Sequence, residues 1–201
     1  KLTASEGIAP PGRCHYAAYN SAMPDVLQNF VAGRWVPSSG AGRLDVHNPA
    51  KGVVIARTPM STAADVDAAV KAATAAYPAW SETPPVVRAR AMFAFKARLE
   101  EHAEELARIV TTEHGKTLDE SRGSVRRAIE CVEVACGAPS MLMGYALENV
   151  SAGIDCVAMR QPIGVCAGIA PFNFPAMVPL WFLPFAVVCG NTFVLKPSEQ
   201  V

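Results

Sequence analysis

Apolar and polar positions follow changing rhythms along this chain, and each rhythm points to a different element. Around Ala32-Gly33 the run from Phe30 to Val36 reads as a short strand with a turn at those two residues. Residues 38–42 form a glycine- and serine-rich loop, residues 47–52 a turn around Pro49, and residues 53–57 a further strand. Helical spacing begins at Thr62, where Asp65 three positions on completes a capping-box pattern. Val66, Val70, Ala73 and Tyr77 mark the expected buried stripe of that helix. Pro84 opens a second helix, with an apolar line through Val87, Met92, Phe95, Leu99, Leu106 and Val110. A third covers roughly residues 118–136, with Val125, Ile129 and Val132 on one face. Its charges (Glu120, Arg122, Arg126, Arg127, Glu130 and Glu133) stand mostly at i,i+3 and i,i+4 spacings, as on a solvated face. Residues 154–161 read as an exposed strand, with Val157 and Met159 alternating with polar positions.

The rhythm then stops. From Gln161 to Leu195 no residue carries a formal charge, and the run ends at Lys196-Pro197-Ser198-Glu199. A membrane span needs about 20 mostly apolar residues. The apolar core here, 174–189, is shorter and contains Pro175, Pro179 and Pro184. Gly164, Gly168 and Gly190 divide the run into strand, helix and strand. Residues 163–170 suit a strand buried on both faces, Pro175 suits the first helical turn, and Gly190-Asn191 ends the helix before a strand at 192–195. The reading is a βαβ unit. In such units, groups at the carboxyl ends of buried strands face the ligand crevice. Asn173, set between aromatics and prolines, is there a turn or helix-start residue or a ligand-facing amide. Lys196 and Glu199 either solubilise a strand end or meet a cofactor.

The fold class expected is α/β, a helical layer followed by the start of a Rossmann-like parallel sheet. Two parallel strands with one crossover helix make too small a doubly wound sheet, which normally has several strands. This suggests the N-terminal part of a longer protein. Residues 1–24 carry Lys1 and Arg13 without an apolar stretch and read as a disordered extension, with Met23-Pro24 as a candidate natural start. Division would then fall at 25–153 for the helical part, 154–161 for an exposed strand and 162–201 for the start of the sheet.

Eighteen basic residues balance eighteen acidic ones, so nothing in the charge recommends nucleic acid or anionic lipid as partner. The cysteines (Cys14, Cys131, Cys136, Cys156, Cys166 and Cys189) form no C-x-x-C pair, and three lie in apolar surroundings, which suits a reducing compartment. The histidines (His15, His47, His102 and His114) are scattered, and metal chemistry has no support.

Pro171-Phe172-Asn173-Phe174-Pro175 and Leu195-Lys196-Pro197-Ser198-Glu199 resemble two spaced motifs of the aldehyde dehydrogenase superfamily. Asn48-Pro49-Ala50, Ala79-Trp80 and Glu113-His114-Gly115-Lys116 stand where its members carry similar residues, and the likeness runs from about Phe30 to the end. Within that family, residues 164–179, 137–144 and 189–193 are similar to the CoA-acylating methylmalonate-semialdehyde dehydrogenase branch. Gln200 departs from the arginine that branch often carries.

The resemblance implies NAD-dependent oxidation of methylmalonate or malonate semialdehyde to propionyl-CoA or acetyl-CoA with loss of carbon dioxide. NAD would be the cofactor and coenzyme A the co-substrate. It assigns Asn173 the catalytic task of stabilising the oxyanion formed when a thiolate attacks the aldehyde. Lys196 and Glu199 would bind the adenosine ribose, with the Ala170 and Phe172 backbone and Gln200 completing the cofactor set. A carboxylate at 199 favours NAD over NADP by repelling a 2′-phosphate. Arg127 would bind the substrate carboxylate; Arg126 is the alternative if the register is off by one, and pairing with Glu130 or Glu133 is the structural alternative.

The family's nucleophile would lie beyond Val201, so this chain alone is expected to be inactive, with Cys166 and Cys189 too buried to replace it. A small-molecule semialdehyde, a homo-oligomer (dimer or tetramer), no membrane, and the cytoplasm, or the mitochondrial matrix in a eukaryote, complete the implied picture. A hydrolytic aldehyde dehydrogenase with another substrate and a non-catalytic binding fragment are the competing functions.

Overall fold

The computed structural model describes residues 26–201; the readings made for residues 1–24, with Cys14 and His15, lie outside them. The described residues begin with two antiparallel hairpins. β1 (Asn29–Val31) and β2 (Arg34–Val36) are joined at Ala32 and Gly33, whose φ values of 49° and 78° give the primed turn that suits strand twist. β3 (Arg43–Asn48) pairs with β4 (Val53–Pro59). The first of these strands was not anticipated, because only its last three residues alternate buried and exposed.

Four helices of the helical layer follow. In α1 (Ala63–Glu82), the Thr62–Asp65 capping box is present. Its expected stripe is not buried: Val66 and Val70 are exposed, and no residue of the helix is fully covered. α1 is tied down by its polar tips instead. Tyr77 Oη donates to the Pro162 carbonyl at 3.0 Å, and Trp80 Nε1 to the Val187 carbonyl at 2.8 Å. The expected second helix is two, α2 (Pro85–Glu101) and α3 (Ala103–His114), broken at His102. The third expected helix is α4 (Leu118–Cys136), with the bounds read from the pattern and a second capping box, Thr117 with Glu120.

α4 is the core of the layer. Ser121, Val125, Ala128, Ile129, Val132, Ala135 and Cys136 line its buried face, which packs on α2, α3 and α6 (Pro179–Val188). One apolar cluster joins Ala89, Met92, Ala135, Cys136, Ala138 and Val188; a second joins Ala107, Val125 and Ile129. The single-turn α5 (Ala138–Met141) leads into a hairpin of β5 (Tyr145–Ser151) and β6 (Ile154–Ala158), both exposed along their whole length. The strand expected at 154–161 is therefore half of a ribbon and ends at Ala158.

The βαβ unit is present. β7 (Val165–Ile169) and β8 (Thr192–Lys196) are parallel, in register from Val165↔Thr192 to Ile169↔Lys196, with α6 between them. Two expectations are corrected. The helix starts at Pro179, which takes the N-terminal position foreseen for Pro175; residues 175–178 form turns. β7 is covered on one face: Cys166 and Gly168 are half-buried, while Val165, Ala167 and Ile169 are exposed. The covered face is close-fitting. A Cβ on Gly168 would collide with the Phe182 ring of α6 and stand 2.8 Å from Phe193 of β8, two rings stacked with centroids 5.7 Å apart. No helix among the described residues is long and apolar enough to cross a membrane.

Arg88 ties these parts together. It is 4% exposed, and its guanidinium donates to three backbone carbonyls: Val188 at the end of α6 (2.9 Å), and Ser81 (3.2 Å) and Thr83 (2.5 Å) at the end of α1. Helix ends leave such carbonyls unpaired, and a cation there also opposes the negative end of the helix dipole.

Candidate functional site

The carboxyl ends of β7 and β8 form one edge, and the sequence delivers its polar residues there. One further rung extends the parallel pair: the Ala170 N–H donates to the Lys196 carbonyl at 3.0 Å. The chain then leaves β7 through Pro171, Phe172 and Asn173, all exposed, before Phe174 begins the turns that lead into α6. On the neighbouring strand, Lys196 pairs with Glu199 across the turn that follows β8. That hydrogen bond holds the Glu199 carboxyl below the usual carboxylate range. The Gln200 N–H donates to Ser198 Oγ at 3.1 Å, closing the turn. Ala170, Phe172, Lys196, Glu199 and Gln200 are thus gathered at one strand edge, the place where open α/β sheets take nucleotides.

Asn173 stands on the same edge. Its carboxamide makes no hydrogen bond among the described residues, and it is exposed. Its backbone carbonyl accepts a 2.6 Å hydrogen bond from Lys116 Nζ, which also lies 3.7 Å from the centroid of the Phe174 ring. The 113–116 segment was noticed in the sequence, but no pattern linked it to a loop 57 positions away. Burial pushes the Lys116 ammonium down, with Glu120 opposing. Beside it, His114 has a buried Nδ1 without a partner among the described residues, and burial followed by the Lys116 charge lowers its basicity.

Arg127 and Arg126 point to different places. Arg126 pairs with Glu130 at 3.3 Å and reaches Glu100 at 3.9 Å, in the groove between α2 and α4. Arg127 has no carboxylate partner among the described residues. It borders a hollow of about 350 Å³ with Glu130, Cys131, Val134, Met177 and Trp181. Met177 lies in the turns that follow Asn173 and Trp181 in α6, so Arg127 faces the segment downstream of Asn173 and Arg126 the groove toward α2.

The described cysteines offer no activated thiolate at this edge. Burial raises the thiols of Cys131, Cys136 and Cys189, the last partly offset by the Arg88 charge. Cys156 is exposed on the β5–β6 ribbon, and Cys166 is half-buried within β7. The edge can therefore do two things with its own atoms. It can present an amide N–H₂ to a developing oxyanion, and it can offer a carboxylate–ammonium pair to sugar hydroxyls.

Residues 35–201 match the aldehyde dehydrogenase family. Malonate-semialdehyde dehydrogenase 1 of Geobacillus kaustophilus (strain HTA426) is 55% identical over 175 residues, which cover 87% of this chain and 36% of that protein. The crystal structure of methylmalonate-semialdehyde dehydrogenase from Oceanimonas doudoroffii superposes with a TM-score of 0.85 at 47% identity, covering 89% of this chain and 36% of that one. A protein of Sinorhizobium meliloti 1021, described as a methylmalonate-semialdehyde dehydrogenase and crystallised with NAD, superposes with a TM-score of 0.87 at 39% identity, over 90% of this chain and 37% of its own. The chain spans little more than a third of the length of these relatives.

Proposed function

The chain belongs to the aldehyde dehydrogenase family, and on that premise we propose that it serves the NAD-dependent oxidation of malonate or methylmalonate semialdehyde, with coenzyme A accepting the acyl group. The observation that carries this reading is Arg127, a guanidinium without a carboxylate partner beside a hollow shared with Met177 and Trp181. A guanidinium recognises a carboxylate through two parallel hydrogen bonds, and these substrates are aldehydes that carry one. The apolar side of the hollow suits the short carbon chain between the two groups.

In this reading Asn173 donates its carboxamide N–H to the oxygen of the attacked aldehyde. A tetrahedral thiohemiacetal forms there, and the donor is worth most when it is already in place before charge develops. Lys196 and Glu199 would hold the adenosine ribose of NAD, with Ala170 and Phe172 lining the cleft and Gln200 beside them; the residues fit that group because both charged side chains stand exposed at the strand edge. NAD would supply the hydride acceptor. The acyl thioester left on the nucleophile passes to the coenzyme A thiol, and loss of carbon dioxide gives propionyl-CoA or acetyl-CoA. We include in the proposal a cytoplasmic homo-oligomer, dimer or tetramer, with the exposed β5–β6 ribbon as its contact.

An aldehyde panel run with and without coenzyme A tests the chemistry in the full-length subunit. Turnover of the semialdehydes should require the thiol; equal rates without it would favour the hydrolytic reading. Arg127→Ala should raise KM for methylmalonate semialdehyde by about 10- to 100-fold, the loss of charge-assisted hydrogen bonds, and leave propionaldehyde nearly untouched. Equal effects on both aldehydes would reject the carboxylate role.

A further inference from the structure

We infer that Lys116 is a positioning residue for the Asn173 amide, gripping the peptide that carries it through the Asn173 carbonyl and the Phe174 ring; this rests on the oxyanion role given to Asn173 above.

Lys116 is bounded closely on both sides. α3 ends at Gly115, whose φ of 85° is left-handed, and a Cβ there would come 2.7 Å from Pro49 Cγ. Glycine is required at that point both for its conformation and for its contact with the β3–β4 turn. One residue after Lys116, Thr117 caps α4 through its reciprocal bonds with Glu120. Lys116 is thus the single residue between two fixed helix ends, and its side chain starts from a defined place.

What it reaches is the softest part of the loop. Proline fixes its own φ and restricts the residue before it, so Pro171 and Pro175 stiffen positions 170, 171, 174 and 175. Phe172 and Asn173 remain. Among the described residues, the Lys116 bond is the sole hydrogen bond to residues 171–173, between the Ala170 rung and the Phe174 carbonyl that begins the turn. It is a charge-assisted bond from a half-buried ammonium, and the same cation sits over the next residue's ring. Two contacts on adjacent residues fix the rotation of the 173–174 peptide plane. That plane, with the Asn173 ψ angle, sets the direction of the Asn173 Cα–Cβ bond, and hence where the carboxamide aims.

A double-mutant cycle in the full-length subunit tests this. Lys116→Met should lower kcat by about 10- to 100-fold, the scale of a misplaced catalytic group, with the dissociation constant for NAD unchanged. In an Asn173→Ala background the same substitution should change kcat by less than about twofold, because neighbours acting through one group are not additive. Lys116→Arg, which keeps a donor and a cation over the ring, should restore most of the rate. Should Lys116→Met fail to fold, Lys116→Gln, still a donor but uncharged, enters the same cycle. If Asn173→Ala leaves kcat near wild type, the oxyanion role itself falls. If Asn173→Ala is slow but Lys116 variants are not, or the two losses multiply, the positioning role is overturned while the oxyanion role stands.

Discussion

Asn173→Ala in the full-length subunit is expected to lower kcat by about 10²- to 10³-fold, the loss measured when one donor to an oxyanion is removed. NAD affinity should be unchanged, since the residues proposed to hold the ribose, Lys196 and Glu199, stand at the end of β8 and in the turn after it. The size follows from the carboxamide being exposed and unengaged within the described structure, so its N–H is available for the reacting oxygen. Asn173→Asp should be at least as slow, because a carboxylate of the same shape repels the negative charge that the amide attracts. A turn-forming asparagine would behave otherwise: alanine would lower the melting temperature while each folded molecule kept its rate. Single-turnover measurement separates the outcomes, and a kcat within about threefold of wild type would end the oxyanion role.

The second large effect falls on stability. Arg88→Met should destabilise the fold by about 3 kcal/mol, because the carbonyls of Ser81, Thr83 and Val188 lose their donor inside the protein. Burial lowers the Arg88 pKa, opposed by Cys189 only where that thiol ionises, and a guanidinium remains protonated throughout the accessible pH range. Arg88→Lys should recover part of the loss and no more, since one ammonium cannot reproduce a planar fork directed at separate carbonyls. Thermal and urea melts monitored by circular dichroism read both variants. A loss below about 1 kcal/mol for the methionine variant would mean that water replaces the guanidinium.

Much of this architecture is written in local pattern. The capping boxes at Thr62 and Thr117 are three-residue signals, and both helices start where they say. The glycines and prolines of the uncharged run marked strand, helix and strand, and parallel topology then brings Asn173, Lys196 and Glu199 to one edge without further instruction. The misreadings have physical causes. No glycine or proline marks the break at His102, where an apolar line continues across two helices that turn on a backbone of φ −103° and ψ 12°. β5 and β6 expose both faces, so the ribbon has little alternation to read, and β5 was missed. Val66 and Val70 keep helical spacing but lie on a face that nothing in the described structure covers. Arg126 and Arg127 are adjacent in sequence, and which one meets the site depends on how α4 is rotated against α2 and α6. The bond from Lys116 to Asn173 joins loops far apart in sequence, and short-range periodicity contains no record of it.

The contact of Gly168 with Phe182 and Phe193 has a consequence for how this protein can change. The gap between helix and sheet is set by a missing carbon atom, and the loop that carries Asn173 is strung between them like a cord between two posts. Adding one methyl at that point would spread the posts, and chemistry several residues away would register a change at a position that touches no reactant.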